Sequence, residues 1–207
     1  MKGEGMAYLS GLVVRVSDQN KFEEDWNSFG RQTFLDSGAT TARVTQTVFA
    51  GENAGEIHIG CTWDSLDLAM RAPGDLRKKQ EMVESMQASG VQTLRRSLVI
   101  VDTERGVQEG EFQSLLVTSA NQADAATMEA NADAFWAHME SGANGIMWGR
   151  GLAAGALNGL YVAITSADSA DALMAASAAM FADAGVQQLM AEQNAQMVAR
   201  HMMRVIG

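Results

Sequence analysis

What the chain has little of narrows the field first. A single cysteine, Cys61, cannot close an internal disulfide and offers no paired spacing for a structural zinc site. The three histidines, His58, His138 and His201, share no metal-ligand spacing, so no metal and no cofactor are expected. No apolar run approaches the ~18 residues of a membrane span. Met1 to Val16 lacks the long apolar core and small-residue cleavage site of a secretory signal. Positive charge is scarce as well: the formal net charge is −10, and beyond Glu104 the cations are Arg105, Arg150, Arg200 and Arg204. Such a chain repels phosphate backbones, whose neutralisation supplies most nucleic-acid affinity. The expectation is a soluble cytoplasmic protein that partners neither nucleic acid nor membrane.

What is present is an internal repeat. Ser37-Gly38-Ala39 recurs as Ser141-Gly142-Ala143, an offset of 104 that also carries Ala50-Gly51 to Ala154-Gly155, Gly55 to Gly159, Asp64-Ser65 to Asp168-Ser169, Asp67 to Asp171 and Met70 to Met174. Ten identities in the 34 positions from Ser37 to Met70 exceed what unrelated sequences of this composition share. Outside that window the same offset relates Ser10 to Ser114, Arg96 to Arg200 and Val101 to Val205. The repeat predicts two units, 7–102 and 111–207, joined by a polar linker over Asp102 to Glu111.

Local patterns give each unit the same order. Tyr8 to Val16 is valine- and leucine-rich and reads as a strand. Ser17 or Asp18 caps a helix whose Phe22, Trp26, Phe29 and Thr33 share a face, and Gly38 stops it. Ala42, Val44 and Val48 alternate with polar residues in a second strand. Gly51 to Gly55 turns it into a third, Glu56 to Trp63. A helix opens at Asp64, breaks at Pro73-Gly74 and resumes over Asp75 to Ala88, before a last strand from Thr93 to Val101. The second unit repeats this, with a helix through Met128, Ala132, Phe135 and Met139, a helix from Asp168 and a last strand from Arg200. Both units read βαββαβ, so the fold class is α+β, two tandem ferredoxin-like units.

One such unit covers one sheet face with helices and leaves the other bare. In the second unit's third strand Leu160, Val162 and Ile164 oppose Tyr161, Ala163 and Thr165, a pattern of burial on both sides. Two units packed sheet to sheet around a shared interior resemble the dimeric α+β barrel superfamily, here as a single-chain pseudo-dimer. Within it, the stretch Ile57-His58-Ile59-Gly60-Cys61-Thr62-Trp63-Asp64-Ser65-Leu66 is similar to NIPSNAP-like members, although the second unit has Ala167 where the first has Trp63. The resemblance implies a barrel whose relatives include cofactor-free monooxygenases, haem-handling proteins and isomerases of ring lactones; fold alone does not choose among them.

Candidate site residues are those placed to face a shared cavity. Arg96 and Arg200 are equivalent and could grip an anion from two sides, or pair with carboxylates. Gln46 and Arg150 are equivalent and interrupt apolar stripes, so each needs a ligand or an internal partner. His58, opposite in parity to Ile57 and Ile59, is the candidate general base, with a satisfied structural histidine as the alternative. Trp63, Trp148 and Tyr161 could line an aromatic pocket or belong to the core. The methionines of the second unit's helices fill gaps or make an oligomer contact. Gly149-Arg150-Gly151 lacks the Lys-Ser/Thr that a phosphate loop needs. The function expected is binding of a small apolar or aromatic ligand in the barrel cavity. The alternative is a non-catalytic structural or homo-oligomeric module, and a further one is cofactor-free oxygenation or isomerisation.

Overall fold

The computed structural model describes residues 6–207; residues 1–5, part of the stretch read for a secretory signal, lie outside them. The first half runs β1 (Ala7–Arg15), α1 (Gln19–Asp25), a π turn (Trp26–Gly30), α2 (Arg31–Asp36), β2 (Thr41–Phe49), β3 (Ile57–Trp63), α3 (Leu66–Leu76), α4 (Gln80–Ala88) and β4 (Gln92–Gly106). The second runs β5 (Phe112–Ser119), α5 (Ala125–Met139), β6 (Gly145–Ala153), β7 (Tyr161–Ala167), α6 (Ala170–Ala182), α7 (Ala184–Glu192) and β8 (Gln196–Val205).

Local chemistry explains most boundaries. Asp18, Ser65, Asp124, Ser169 and Asp183 each accept a hydrogen bond from a first-turn amide, satisfying one of the donors that a helix start leaves orphaned. The hairpin turns are the same in both halves: Gly51 and Gly155 have φ of 59° and 60°, and Gly55 and Gly159 have φ of 83° and 75°, values that side-chain-bearing residues rarely adopt. Three boundaries depart from expectation. Helix α3 continues through Pro73 to Leu76, and the break falls at Arg77–Lys79. Strand β4 takes in Asp102 to Gly106, read as linker, because β6 hydrogen-bonds to it there. Strand β8 begins at Gln196, ahead of Arg200.

The eight strands close into one antiparallel barrel in the order β1-β3-β2-β8-β5-β7-β6-β4. Each half supplies four neighbours, and the halves join edge to edge through β2·β8 and β4·β6. The register obeys the sequence offset at every seam: Ser10 pairs with Cys61 and Ser114 with Thr165, while Leu12 pairs with Arg96 and Leu116 with Arg200. Across the seams, Thr45 pairs with Val205 and Gly149 with Val101. The molecule is thus pseudo-twofold down to single hydrogen-bonded pairs, a single-chain α+β barrel of the dimeric kind.

Strand alternation sends one set of side chains inward and the other beneath the helices. Inward, Leu9, Val99, Leu115, Val117, Val162 and Ala199 from both halves form one apolar cluster across the barrel. Outward in the first half, Val14, Val44, Ile57, Ile59, Cys61 and Trp63 pack on Phe22, Trp26 and Phe34 of the α1–α2 segment. Outward in the second half, Ala132, Met139, Ala167, Ala176 and Met180 are buried beside aromatic residues placed elsewhere, Trp148 on β6 and Phe135, Trp136 and Phe181 on the helices.

The seam tolerates no extra atoms at Gly149. A Cβ there would meet the Ile100 carbonyl oxygen and lie 2.7 Å from Val99 Cγ1, whereas at Gly60 the nearest atom is 3.8 Å away. Gly149→Ala should therefore cost about 2 kcal/mol or more in urea unfolding, and Gly60→Ala well under half of that. Equal effects would refute the tight seam.

Candidate functional site

Inward-facing side chains of both halves pack together inside the barrel, and the cavity of interest lies outside the sheet. It sits between the outer face of the second half's sheet and helices α5, α6 and α7, with a volume of about 120 Å³. The expectation placed the cavity at the barrel axis, whereas this one lies outside the sheet. Inward-facing side chains from both halves make apolar contacts across the axis, while this cavity lies on the second half's flank, over Ser114, Ala163 and Thr165.

The walls are largely apolar. Trp148 and Ile146 of β6, Ala163 of β7 and Leu116 of β5 form the floor, and Met128, Phe135, Met139, Leu173, Met180 and Met190 form the roof. Tyr161 lines one side, its hydroxyl accepting from the Ala123 amide at 3.0 Å and donating to the Asn121 carbonyl at 3.4 Å, which ties the ring to the segment before α5. Ser114, Asn131, Thr165 and Ser177 are buried polar residues on the same wall set. Methionine side chains lend such a wall adaptability, because an unbranched thioether repacks at low cost.

Arg200 is the one cation on this lining. Its Nη2 donates to Ser177 Oγ at 2.9 Å, its Nη1 lies 3.4 Å from Met174 Sδ, and its guanidinium carbon stands 5.6 Å from the centre of the Phe181 ring. Its Nε is buried without a hydrogen-bond partner among the described residues. Burial lowers its proton affinity, and no carboxylate stands near enough to raise it again. A guanidinium nevertheless keeps its proton. The cavity therefore holds a fixed positive charge with unspent donor capacity.

The structure distributes the sequence candidates unevenly. Trp148, Tyr161 and Arg200 converge on the cavity. Arg96 stands exposed near Arg77, on the flank that aromatic residues fill. Gln46 exchanges hydrogen bonds with Gln19 at 2.8 and 3.2 Å, so its break in the apolar stripe is answered by the neighbouring helix. Arg150 grips Asp102 with Nε and Nη2 at 2.6–3.0 Å across the β4·β6 seam, a partner invisible while Asp102 was read as linker. Trp63 is a core residue whose Nε1 donates to Ser10 Oγ at 2.8 Å. Ser114, Asn131, Ser177 and Phe181 were not anticipated. The signal that could have found them was Ala167 in place of Trp63, since lost bulk exposes whatever it covered.

His58 faces the barrel interior on the other side of the sheet from Cys61, with its Nε2 at 3.0 Å from Thr47 Oγ1. Buried Glu56 pairs with the exposed Arg95 beside it, and His201 approaches from β8. Burial, with help from Arg95, pushes the His58 imidazole down to about 4. It is neutral at pH 7, hydrogen-bonded to Thr47 and not part of the cavity lining.

Known structures share this architecture. The chain is similar to a provisionally assigned chlorite dismutase at 13% identity and a TM-score of 0.59, over 98% of this chain and 95% of that one. It is similar to a provisionally assigned monooxygenase from Fusobacterium nucleatum at 8% identity and a TM-score of 0.60, over 99% and 94%. A heme-binding protein from Thermus thermophilus matches at 10% identity and a TM-score of 0.59, over 97% and 91%. No family model matches the chain, and no curated protein matches it by sequence. At such identities the likeness is one of fold. No helix among the described residues is long and apolar enough to cross a membrane.

The depressed His58 pKa has a sign that can be tested. The unfolded imidazole takes up a proton near pH 6.5 and the folded one near 4, so acidification through that window favours the unfolded chain. Stability should fall by roughly 2–3 kcal/mol between pH 6.5 and 4 from this group. In His58→Gln, urea unfolding across that range should show a loss smaller by about that amount; an unchanged slope would rule the buried imidazole out as its source.

Proposed function

We propose that the protein binds a small, largely apolar organic anion in the cavity between the second half's sheet and its helices. The observation that carries this reading is Arg200, a half-buried guanidinium whose buried Nε is unpartnered among the described residues, in walls of methionine, leucine and aromatic residues. A desolvated donor so placed costs free energy until an acceptor arrives, and a carboxylate or phenolate would accept a charge-assisted bond there. Size sets the class: an engineered apolar cavity of about 150 Å³ accommodates benzene, so a space of about 120 Å³ takes about one ring as it stands, and a fused pair only as the methionine walls repack outward.

Haem does not suit these walls. Among the described residues they carry no imidazole and no thiolate, and the one phenol, Tyr161, is engaged with backbone groups on both sides. A macrocycle also far exceeds the space. Proton abstraction finds little support either, because among the described residues the lining carries no histidine, carboxylate or lysine to serve as a base. Binding is what the lining favours, with oxygenation or isomerisation of the bound molecule requiring a reactive group that the ligand would itself bring. The NIPSNAP-like stretch Ile57–Leu66 belongs to the filled flank and adds no residue to this site.

Calorimetric titration with benzoate and with benzyl alcohol, its neutral relative, tests the reading. Benzoate should bind the wild type more tightly, and Arg200→Leu should weaken benzoate by about 10- to 100-fold, the value of a hydrogen bond to a charged group, while leaving benzyl alcohol nearly unchanged. Indifference of benzoate binding to Arg200→Leu would refute the anion site.

A further inference from the structure

The two halves can be read as a filled and an emptied copy of one site. In the first, the Trp63 indole, 2% exposed, lies under the helices and donates its N–H to Ser10 Oγ at 2.8 Å. The offset that maps every strand pair maps Ser10 onto Ser114, Cys61 onto Thr165 and Trp63 onto Ala167. In the second half the serine is retained and buried, its hydroxyl-bearing side chain lines the cavity, and the indole that would satisfy it is gone. Met139 and Met180 close around Ala167 itself, so the space that survives lies over Ser114 and Thr165 rather than at the strand end.

Arg200 belongs to the same patch of sheet. It pairs with Leu116, and Ser114 pairs with Met202, which makes Ser114 and Arg200 diagonal neighbours on one face, with Cα atoms roughly 7–8 Å apart. A ligand spanning them meets a hydroxyl acceptor on one side and a guanidinium on the other, with an apolar floor between. The geometry points to a ligand that stands in for the missing indole: a fused heteroaromatic acid whose ring N–H donates to Ser114 Oγ and whose carboxylate is received by Arg200. This deepens the anion-binding reading and rests on it. A hydroxyl acceptor of this kind discriminates, because a ring lacking the N–H leaves a buried polar atom without its partner.

The test uses indole-3-carboxylate, 1-methylindole-3-carboxylate and 1-benzothiophene-3-carboxylate, titrated calorimetrically into wild type, Ser114→Ala and Arg200→Leu. The wild type should bind the indole acid about 10-fold or more tightly than either ring lacking the N–H. That preference should collapse toward unity in Ser114→Ala, and all three acids should weaken together in Arg200→Leu. Equal affinity of the three acids in the wild type, with Arg200→Leu still weakening them, overturns the indole inference alone. Binding that ignores Arg200→Leu, or no binding of any acid, overturns the anion site and this inference with it. Circular dichroism melting of Ser114→Ala within a few degrees of wild type confirms that a lost preference reflects the site and not the fold.

Discussion

The structure depends on the pairing of sheet edges between the halves. A four-stranded sheet covered by helices on one face has two free edges and one bare apolar face, and neither is tolerable in water. The β2·β8 and β4·β6 ladders remove both difficulties together, because joining the edges curls the two bare faces around one interior. The glycines of β6 follow from this closure. Gly149 and Gly151 face backbone carbonyls of Ile100 and Leu157 too closely for any side chain, while their counterparts Thr45 and Thr47 keep side chains that reach Met203 and His58.

Closure also decides where a ligand can go. The barrel axis is apolar in its middle, and it carries polar clusters that link the halves. One couples Arg43, Gln113 and Gln108 through Ser166, and another places His58 and His201 near the Glu56–Arg95 pair. With the axis committed to cohesion, open volume arises on the flanks, between sheet and helices. The first flank is packed by Phe22, Trp26, Phe34 and Trp63, with the Trp26 and Phe34 rings 5.5 Å apart. The second has alanine and methionine at its core, and there the space persists.

The duplication was legible because turn and cap residues repeat for physical reasons. Gly51, Gly55, Asp64 and Ser65 recur where a positive φ or a helix start demands them, and the structure keeps them in register. The π turn at Trp26–Gly30 had no such signal, since its residues read as ordinary helix. The Asp102–Arg150 pair was hidden because Asp102 sits in a polar stretch that reads as linker until β6 is laid beside it. The cavity was hardest to see. Trp148, Tyr161 and Arg200 were picked out as individual residues, but a hollow is made of absent atoms, and only the contrast between Trp63 and Ala167 hinted at it.

Fusion of the halves into one polypeptide has a consequence for how such a protein can change. In an assembly of two identical subunits every substitution appears twice, so hollowing one flank hollows the other and the loss of cohesion is doubled. Here tryptophan can be kept at position 63 and discarded at position 167 independently. One half is left as ballast that steadies the barrel, and its sibling is released to explore new chemistry at a single asymmetric opening.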